Sequence, residues 1–365
     1  MSDLRATAQH FQPPDAMIRA VDAYGSGNIN DTYKVSVDAG AVECFILQRI
    51  NQQVFPRPEH IMANLSVFSK HVSTRLALES NPRRWEVVHA LATQTGEDYW
   101  IDDHGDFWRA LSFIDGARTF PRVQDSHHAR EAGYALGRFH HLVSDLDPAL
   151  LHDTLPGFHV IPHYLNKYDA ALTARGIDPS SPEESFCAAY VAEHRHHGAV
   201  LERARDAGQI KVRTAHGDPK IDNIMIDEAS GEAVSLIDLD TVKPGLMQHD
   251  VGDCLRSSCN PLGEETTEFE KVRFEIALCE VILRGYLPEV RDFFEPNDYA
   301  YLYDSVWVLA FEMGLRFFAD HLAGNIYFKV RHPLHNLARA VVQFKLAESI
   351  AAQEAAIRTL VRTLS

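Results

Sequence analysis

Cysteine is scarce in this chain of 365 residues: Cys44, Cys187, Cys254, Cys259 and Cys279, odd in number, scattered, and without a Cys-x-x-Cys pair. That excludes a disulfide framework and a zinc knuckle. Basic residues are outnumbered, with 35 Lys and Arg against 51 Asp and Glu and a formal net charge of -16. A surface this acidic does not hold a phosphate backbone non-specifically, so nucleic acid is not an expected partner. No apolar run approaches the roughly 20 residues of a membrane helix, which leaves no membrane partner to expect. The opening MSDLRATAQHFQPPDAM lacks the apolar core and small-residue cleavage site of a secretory signal, and a cytoplasmic, reducing location is the expectation. Internal repeats and low-complexity tracts are missing too. What remains is 45% hydrophobic and 24% charged, an ordinary globular composition with length enough for two domains or one bilobal unit.

Along the chain the texture changes once. Residues 20–50 read as a small antiparallel sheet: a turn-rich stretch from Tyr24 to Asp31, an alternating strand over 32–37, a turn at 38–40 and a second strand over 43–49. Pro56 and Pro58 open a helical pattern over 59–76, with Ile61, Leu65, Phe68 and Val72 at helical spacing. Strand patterns return over 85–90, 99–102 and 107–114. Beyond Asp115-Gly116 helical patterns dominate, at 127–143, 183–206, 266–286, 297–323 and 334–363. One strand pair is embedded among them, 223–227 and 234–238, with a turn at Ser230-Gly231. The expected class is α+β, with a β-rich N-terminal lobe over 1–114 and a mostly helical C-terminal lobe over 115–365.

The most informative stretch is His216-Gly217-Asp218-Pro219-Lys220-Ile221-Asp222-Asn223, followed by the hairpin and then Ile237-Asp238-Leu239-Asp240. A hairpin brings its two ends together, so Asn223 and Asp238 converge on one point. An amide oxygen plus a carboxylate, completed by phosphate oxygens, suits Mg²⁺ better than zinc. Asp218 stands outside that pair and is free to orient a hydroxyl and accept its proton. Phosphoryl transfer asks for this set: in-line positioning, a metal against developing charge, and a base near the nucleophile. Gly25-Ser26-Gly27, at a turn between strands, can cover phosphates with backbone N–H groups. Asp250 and Asp253 are expected to brace the catalytic loop. His194, His196 and His197 lack the i, i+4 pairing of a helical zinc site and read as a solvated helix face.

His-x-Asp-x-x-x-x-Asn with an Asp beyond a hairpin resembles the catalytic and metal loops of protein-kinase-like folds. The form His-Gly-Asp resembles the aminoglycoside phosphotransferase and choline kinase branch, which phosphorylates small molecules. Further segments resemble one narrower family, the N-acetylhexosamine 1-kinases. They are Tyr24-Gly25-Ser26-Gly27-Asn28-Ile29-Asn30-Asp31, Phe45-Ile46-Leu47-Gln48-Arg49-Ile50-Asn51, Ile237-Asp238-Leu239-Asp240-Thr241, Met313-Gly314-Leu315-Arg316-Phe317 and Gly324-Asn325-Ile326-Tyr327-Phe328. The likeness runs from about residue 20 to 345.

That resemblance implies a bilobal kinase using ATP and Mg²⁺ to phosphorylate the anomeric hydroxyl of a small-molecule sugar, GlcNAc or GalNAc. It makes Asp218 the catalytic base, sets Lys220 near the transferred phosphoryl group, and gives Mg²⁺ to Asn223 and Asp238. Gly25 and Gly27 cover the phosphates, and backbone groups at Phe113 and Ile114 meet adenine. Asn28, Asp240, Arg316 and Tyr327 line the sugar site. Two departures stand out: Asn28 replaces a frequent His, and Gln48 stands where protein kinases carry a strand lysine, leaving the α-phosphate contact to Arg49 or to backbone. The alternatives are another kinase of this fold, acting on choline, homoserine or an aminoglycoside, and a nucleotide-binding module without turnover.

Overall fold

The computed structural model describes residues 3–25, 29–38, 43–176 and 179–365. Gly27 and Asn28, two of the expected site residues, lie outside the described residues. The chain opens with α1 (Leu4–Gln9), capped by Asp3, whose carboxylate accepts from the Arg5 N–H at 3.0 Å. Then β1 (Met17–Ala23), β2 (Asp31–Asp38) and β3 (Cys44–Ile50) form an antiparallel meander. After α2 (Pro58–Leu78), with proline at its first position, come β4 (Ala90–Leu91), β5 (Trp100–Ile101) and β6 (Phe107–Ser112). β6 closes the sheet against β3, in the order β1-β2-β3-β6-β4, with β5 also on β6.

The two-residue period of these strands divides the sheet. Val35, Val37, Phe45, Leu47, Trp108 and Ala110 face a small core closed by Ala8 of α1 and by Phe11 in the turn after it. Thr32, Ile46, Gln48, Arg109 and Leu111 face the cleft between the lobes. So one alternation builds both the N-lobe core and the roof of the candidate site.

β7 (Ala117–Arg118) already belongs to the second lobe. It is followed by α3 (Ser126–Leu142), α4 (Ile161–Arg175), α5 (Pro182–Gly198) and α6 (Val200–Asp206). Next come β8 (Arg213–Ala215), β9 (Ile224–Asp227), β10 (Ala233–Leu236) and β11 (Lys243–Gly245). β9 and β10 are the expected hairpin, extended by β7, while β8 pairs with β11. The helices α7 (Met247–Ser258), α8 (Ile276–Val290), α9 (Pro296–Ala300), α10 (Leu302–Leu322), α11 (His335–Ala352) and α12 (Glu354–Leu364) complete the chain. One large apolar core runs from the inner face of α2 through α3 and α7 to α10 and α11. The fold is α+β and bilobal, with the β-rich and helical lobes in the expected order. Among the described residues no helix is long and apolar enough to cross a membrane.

Local expectations differ in several places. Residues 85–89 are extended but join no sheet: the Glu86 N–H donates to the Val234 carbonyl (2.8 Å), Ser235 Oγ donates to the Glu86 carbonyl (2.9 Å), and the Ser112 N–H donates to the His89 carbonyl (2.9 Å). This segment therefore runs beside the junction at 112–115 and ties both lobes. The helix expected over 266–286 starts only at Ile276, after a 3-10 turn over Phe269–Lys271. The patterns over 297–323 and 334–363 each break into two helices, at Tyr301 and at Gln353. Helices α4 and α7 lie outside the expected helical stretches.

Candidate active site

The loop between β8 and β9 carries the stretch from His216 to Asn223 that the sequence singles out. Asp250, on α7, fixes it from behind: one carboxylate oxygen accepts from the His216 N–H at 2.7 Å and the other from the Gly217 N–H at 2.8 Å. Burial pushes the Asp250 carboxyl up, but hydrogen bonds from His140 and the loop hold it below the ordinary range. Gly217 has φ 88°, and a Cβ there would meet Thr241 at 2.9 Å, so the turn requires glycine. The His216 ring donates from Nε2 to the Ile237 carbonyl (3.0 Å) and accepts at Nδ1 from the Asp218 N–H (3.2 Å). That ring is neutral by its partners, and burial lowers its pKa accordingly.

The amide nitrogen of Asn223 donates to the Asp218 carbonyl (2.7 Å) and to the Asp218 carboxylate (3.3 Å), which leaves its amide oxygen to offer. The Ile237 N–H donates to the Asn223 carbonyl at 2.9 Å, so the two hairpin ends meet and Asp238 follows directly. Asp238 is left-handed, with φ 65° and ψ 58°, a conformation held by the surrounding structure. Its carboxylate opens to the cleft, and enclosure there together with the Asp240 and Asp218 charges pushes it up to about 7. Lys220 Nζ stands 3.3 Å from the Asp218 carboxylate, and that charge, with Asp222 and Asp238, raises the ammonium pKa against desolvation.

These side chains share one cavity of about 560 Å³ between the lobes, within the range of small-molecule sites. Its outer end is apolar and flat: Tyr24, Ile46, Leu111, Phe113, Ile114 and Met225 line it, beside Gly25 at φ 77°. Tyr24 meets the Phe113 ring edge-on at 6.0 Å. At the far end stand Arg316 and Tyr327. Arg316 sits among the rings of Phe158, Tyr164 and Phe328, at 5.1, 5.2 and 5.5 Å from their centres. The 324–328 turn that presents Tyr327 is held by Asp320, which accepts from the N–H groups of Ile326, Tyr327 and Phe328.

Every described residue of the expected site, Gly25, Phe113, Ile114, Asp218, Lys220, Asn223, Asp238, Asp240, Arg316 and Tyr327, lines this cavity. Arg49 does not. It pairs with Asp31 and Asp106 near the end of the interior strand β3 and is removed as a phosphate contact. On the same sheet face as Lys34, whose Nζ lies 4.0 Å from the centre of the Phe113 ring, β6 carries a cleft-facing cation, Arg109. It donates to Gln48 Oε1 (3.0 and 2.7 Å) and pairs with Asp240, which also accepts from Asn30 Nδ2 (2.7 Å). So Asp240 is nearly buried, with both carboxylate oxygens engaged. Asn30, Arg109, His159, Asp253, Arg256, Glu264 and Arg339 complete the polar wall without having been picked out for it from the sequence.

Residues 21–287 match the phosphotransferase enzyme family APH. Among solved structures, the chain is similar to a microcompartment-associated aminopropanol kinase, with a TM-score of 0.66 and 14% identity over 96% of this chain and 97% of that one. It is also similar to choline kinase from Cryptosporidium parvum, with a TM-score of 0.57 and 15% identity over 94% of this chain and 93% of that one. Aminoglycoside 2'-phosphotransferase-IIIa, solved with GDP, gives a TM-score of 0.57 and 13% identity over 97% and 100%. At these identities the neighbours speak for the fold. The family match spans most of the chain and agrees with the loop geometry: this chain belongs to the APH phosphotransferase enzyme family and is a small-molecule phosphotransferase.

Proposed function

We propose that the chain transfers the γ-phosphoryl group of ATP to the anomeric hydroxyl of an N-acetylhexosamine, GlcNAc or GalNAc, and releases the sugar 1-phosphate. The observation that carries this reading is that Arg316 and Tyr327 stand on the same cavity wall system as Asp218, Lys220, Asn223 and Asp238. Adenine fits the apolar outer end, against backbone at Phe113 and Ile114, with Gly25 over the phosphates. The division of the chain at 114/115 belongs to the same reading, since β6 ends in the first sheet and β7 pairs in the second lobe.

Asp218 accepts the hydroxyl proton as the sugar oxygen–phosphorus bond forms and the bond from phosphorus to the β,γ-bridging oxygen breaks. ADP leaves with that electron pair. A loose transition state asks little basicity early, so Asp218 acts first by orienting the hydroxyl. Lys220 stands beside it to neutralise charge on the transferred group. Asn223 and Asp238 offer two hard oxygen donors, an amide and a carboxylate with no cationic partner among the described residues, which fits Mg²⁺. When bound, Mg²⁺ neutralises the phosphate oxygens.

The acceptor class rests on charge. On the cavity wall Asp218, Asp222, Asp238, Asp240, Asp253 and Glu264 are matched in number by Arg109, Arg118, Lys220, Arg256, Arg316 and Arg339, and the His159 ring on that wall is countered by Glu312 behind it. A balanced wall suits a neutral acceptor, whereas a polycation binder needs an excess of carboxylates. The arginine fork and aromatic body suit sugar hydroxyls and an apolar ring face. The partners on this reading are a nucleotide and a sugar, in the cytoplasm, where the free cysteines stay reduced. An ADP-release assay over GlcNAc, GalNAc, glucose, choline, homoserine and kanamycin, with Mg²⁺ and ATP, tests it. Turnover of GlcNAc or GalNAc to an anomeric phosphate is expected; turnover of choline or kanamycin with neither hexosamine overturns it.

A further inference from the structure

His159 lies in the loop before α4 with φ 58°, a region that residues with a side chain occupy rarely and only where the surrounding structure holds them. Its ring is buried, and both ring nitrogens face groups that only accept. Nδ1 is 3.1 and 3.0 Å from the two carboxylate oxygens of Glu312, and Nε2 is 2.7 Å from the Gly217 carbonyl. Both contacts are hydrogen bonds only when both nitrogens carry a proton, so the ring is an imidazolium. Glu312 is fully buried and also faces Arg316, at 3.4 Å. The Gly217 carbonyl belongs to the peptide that leads into Asp218. A continuous line of charge-assisted contacts thus joins the far wall of the cavity to the loop on its floor.

We propose that His159, held as an imidazolium, is a positioning residue that links Arg316, through Glu312, to the Gly217–Asp218 peptide and so keeps the acceptor arginine and the base in one register. The inference rests on the roles given above to Asp218 and Arg316. The groups around the ring are consistent with a single cation at this point. Glu312 faces it from α10, Tyr164 lies near it on α4, and His249 and Asp253 face it from α7, while Arg316 reaches it only through Glu312. His249, with its ring 5.1 Å away, is held neutral: burial and the neighbouring His159 lower it to about 3. Against its own burial, the Glu312 charge and hydrogen bond and the Gly217 carbonyl raise the His159 pKa, so the cation is held to higher pH than in a free imidazole and is lost on the alkaline side.

Two variants and one spectrum test this. His159→Asn keeps a residue that tolerates a left-handed backbone and removes the cation. Glu312→Gln keeps the shape and removes the counter-charge. Both are expected to lower kcat/KM for the acceptor by about tenfold to a hundredfold, the scale of a small misplacement of reacting groups. KM for ATP stays within about twofold. In pH profiles of acceptor kcat/KM, Glu312→Gln moves the alkaline limb to lower pH and His159→Asn abolishes it. In ¹⁵N-histidine-labelled wild type at about pH 7.5, where an unperturbed imidazole is neutral, the His159 ring gives an imidazolium signal. That signal is missing in His159→Asn and turns neutral in Glu312→Gln; the second variant and the wild type suffice if the first does not fold. A neutral ring in the wild type, an unmoved alkaline limb, or acceptor kcat/KM within about twofold of wild type in the variants overturns the proposal. Failure of the functional reading is seen separately, as wild type inert toward GlcNAc and GalNAc. The kinetic arm then runs on whichever acceptor of the panel the wild type phosphorylates, and the spectrum decides without any acceptor.

Discussion

Two side chains mark the difference between chemistry and support. Asp218 has its carboxylate in the cavity, bonded to Asn223 and beside Lys220. Asp218→Asn is expected to reduce kcat by about 10²–10⁴-fold, the usual worth of a positioned base, with the nucleotide still bound. Steady-state kinetics together with ATP-analogue binding checks this, and normal turnover removes the assigned base. Arg109 is support of another kind. It and Asp240 form a nearly dry ion pair that spans the lobes, with Gln48 and Asn30 filling the remaining positions. Removing one partner strands a buried charge, so Arg109→Met should lower the unfolding free energy by about 3–5 kcal/mol. Urea titration reads this directly, and Asp240→Asn added to Arg109→Met should recover part of the loss. Asp218 was legible because its partners lie within five residues of sequence. Arg109 was not: it sits in an apolar strand and its carboxylate lies 131 residues away.

Helices α3 and α8 cross at two glycines. A Cβ at Gly133 would lie 1.9 Å from the Ile282 carbonyl oxygen, and one at Gly285 2.1 Å from that of Arg130. The obstacle is backbone on both sides, so neither side chain can move out of the way. Gly285→Ala should destabilise the protein by about 3 kcal/mol, the upper end of ordinary overpacking. A thermal midpoint equal to wild type contradicts so close a crossing. The sequence shows the apolar face of α3 through Ala129, Ala132, Leu136, Phe139 and Leu142, yet nothing local reveals that Gly133 is the point of contact. Elements with one wet face were readable, which is why β2, β3 and α2 emerged at nearly their true bounds whereas β1 was not singled out; β9 and β10, buried on both faces, were readable as short apolar runs on either side of Ser230-Gly231. Helix α7 is buried almost all round, and its buried His249, Asp250, Asp253 and Arg256 give it a polar composition that hides a core helix. Residues 85–89 have strand composition, but their partners are a junction and a hairpin brought in by the tertiary fold.

At the scale of the molecule, the helical lobe is fastened by carboxylates rather than by disulfides. Glu184, on α5, accepts from the Ser180 N–H (2.8 Å), Arg175 (2.7 Å) and His321 on α10 (2.8 Å). Burial raises its pKa, but these donors outweigh it and bring the carboxyl from 4.5 down to about 2. A folded pKa below the unfolded one gives stability that is present above 4.5 and lost as pH falls toward 2. The midpoint difference between wild type and Glu184→Gln should therefore be constant at neutral pH and shrink below 4.5, as read by thermal melts across that window. An unchanging difference down to pH 2 removes the tie.

The stretch over 85–89 has a mechanical consequence. It runs beside the junction at 112–115, fastened to the helical lobe through Val234 and Ser235, and Arg84 adds a bond to the Asp115 carbonyl at 2.7 Å. Two side-by-side strips behave as a flat leaf rather than a cord. A leaf bends readily about the one axis in its plane and resists torsion. Such a connection resists twisting of one lobe against the other and favours motion in one plane, with the Phe113 end of the cavity lying next to the leaf.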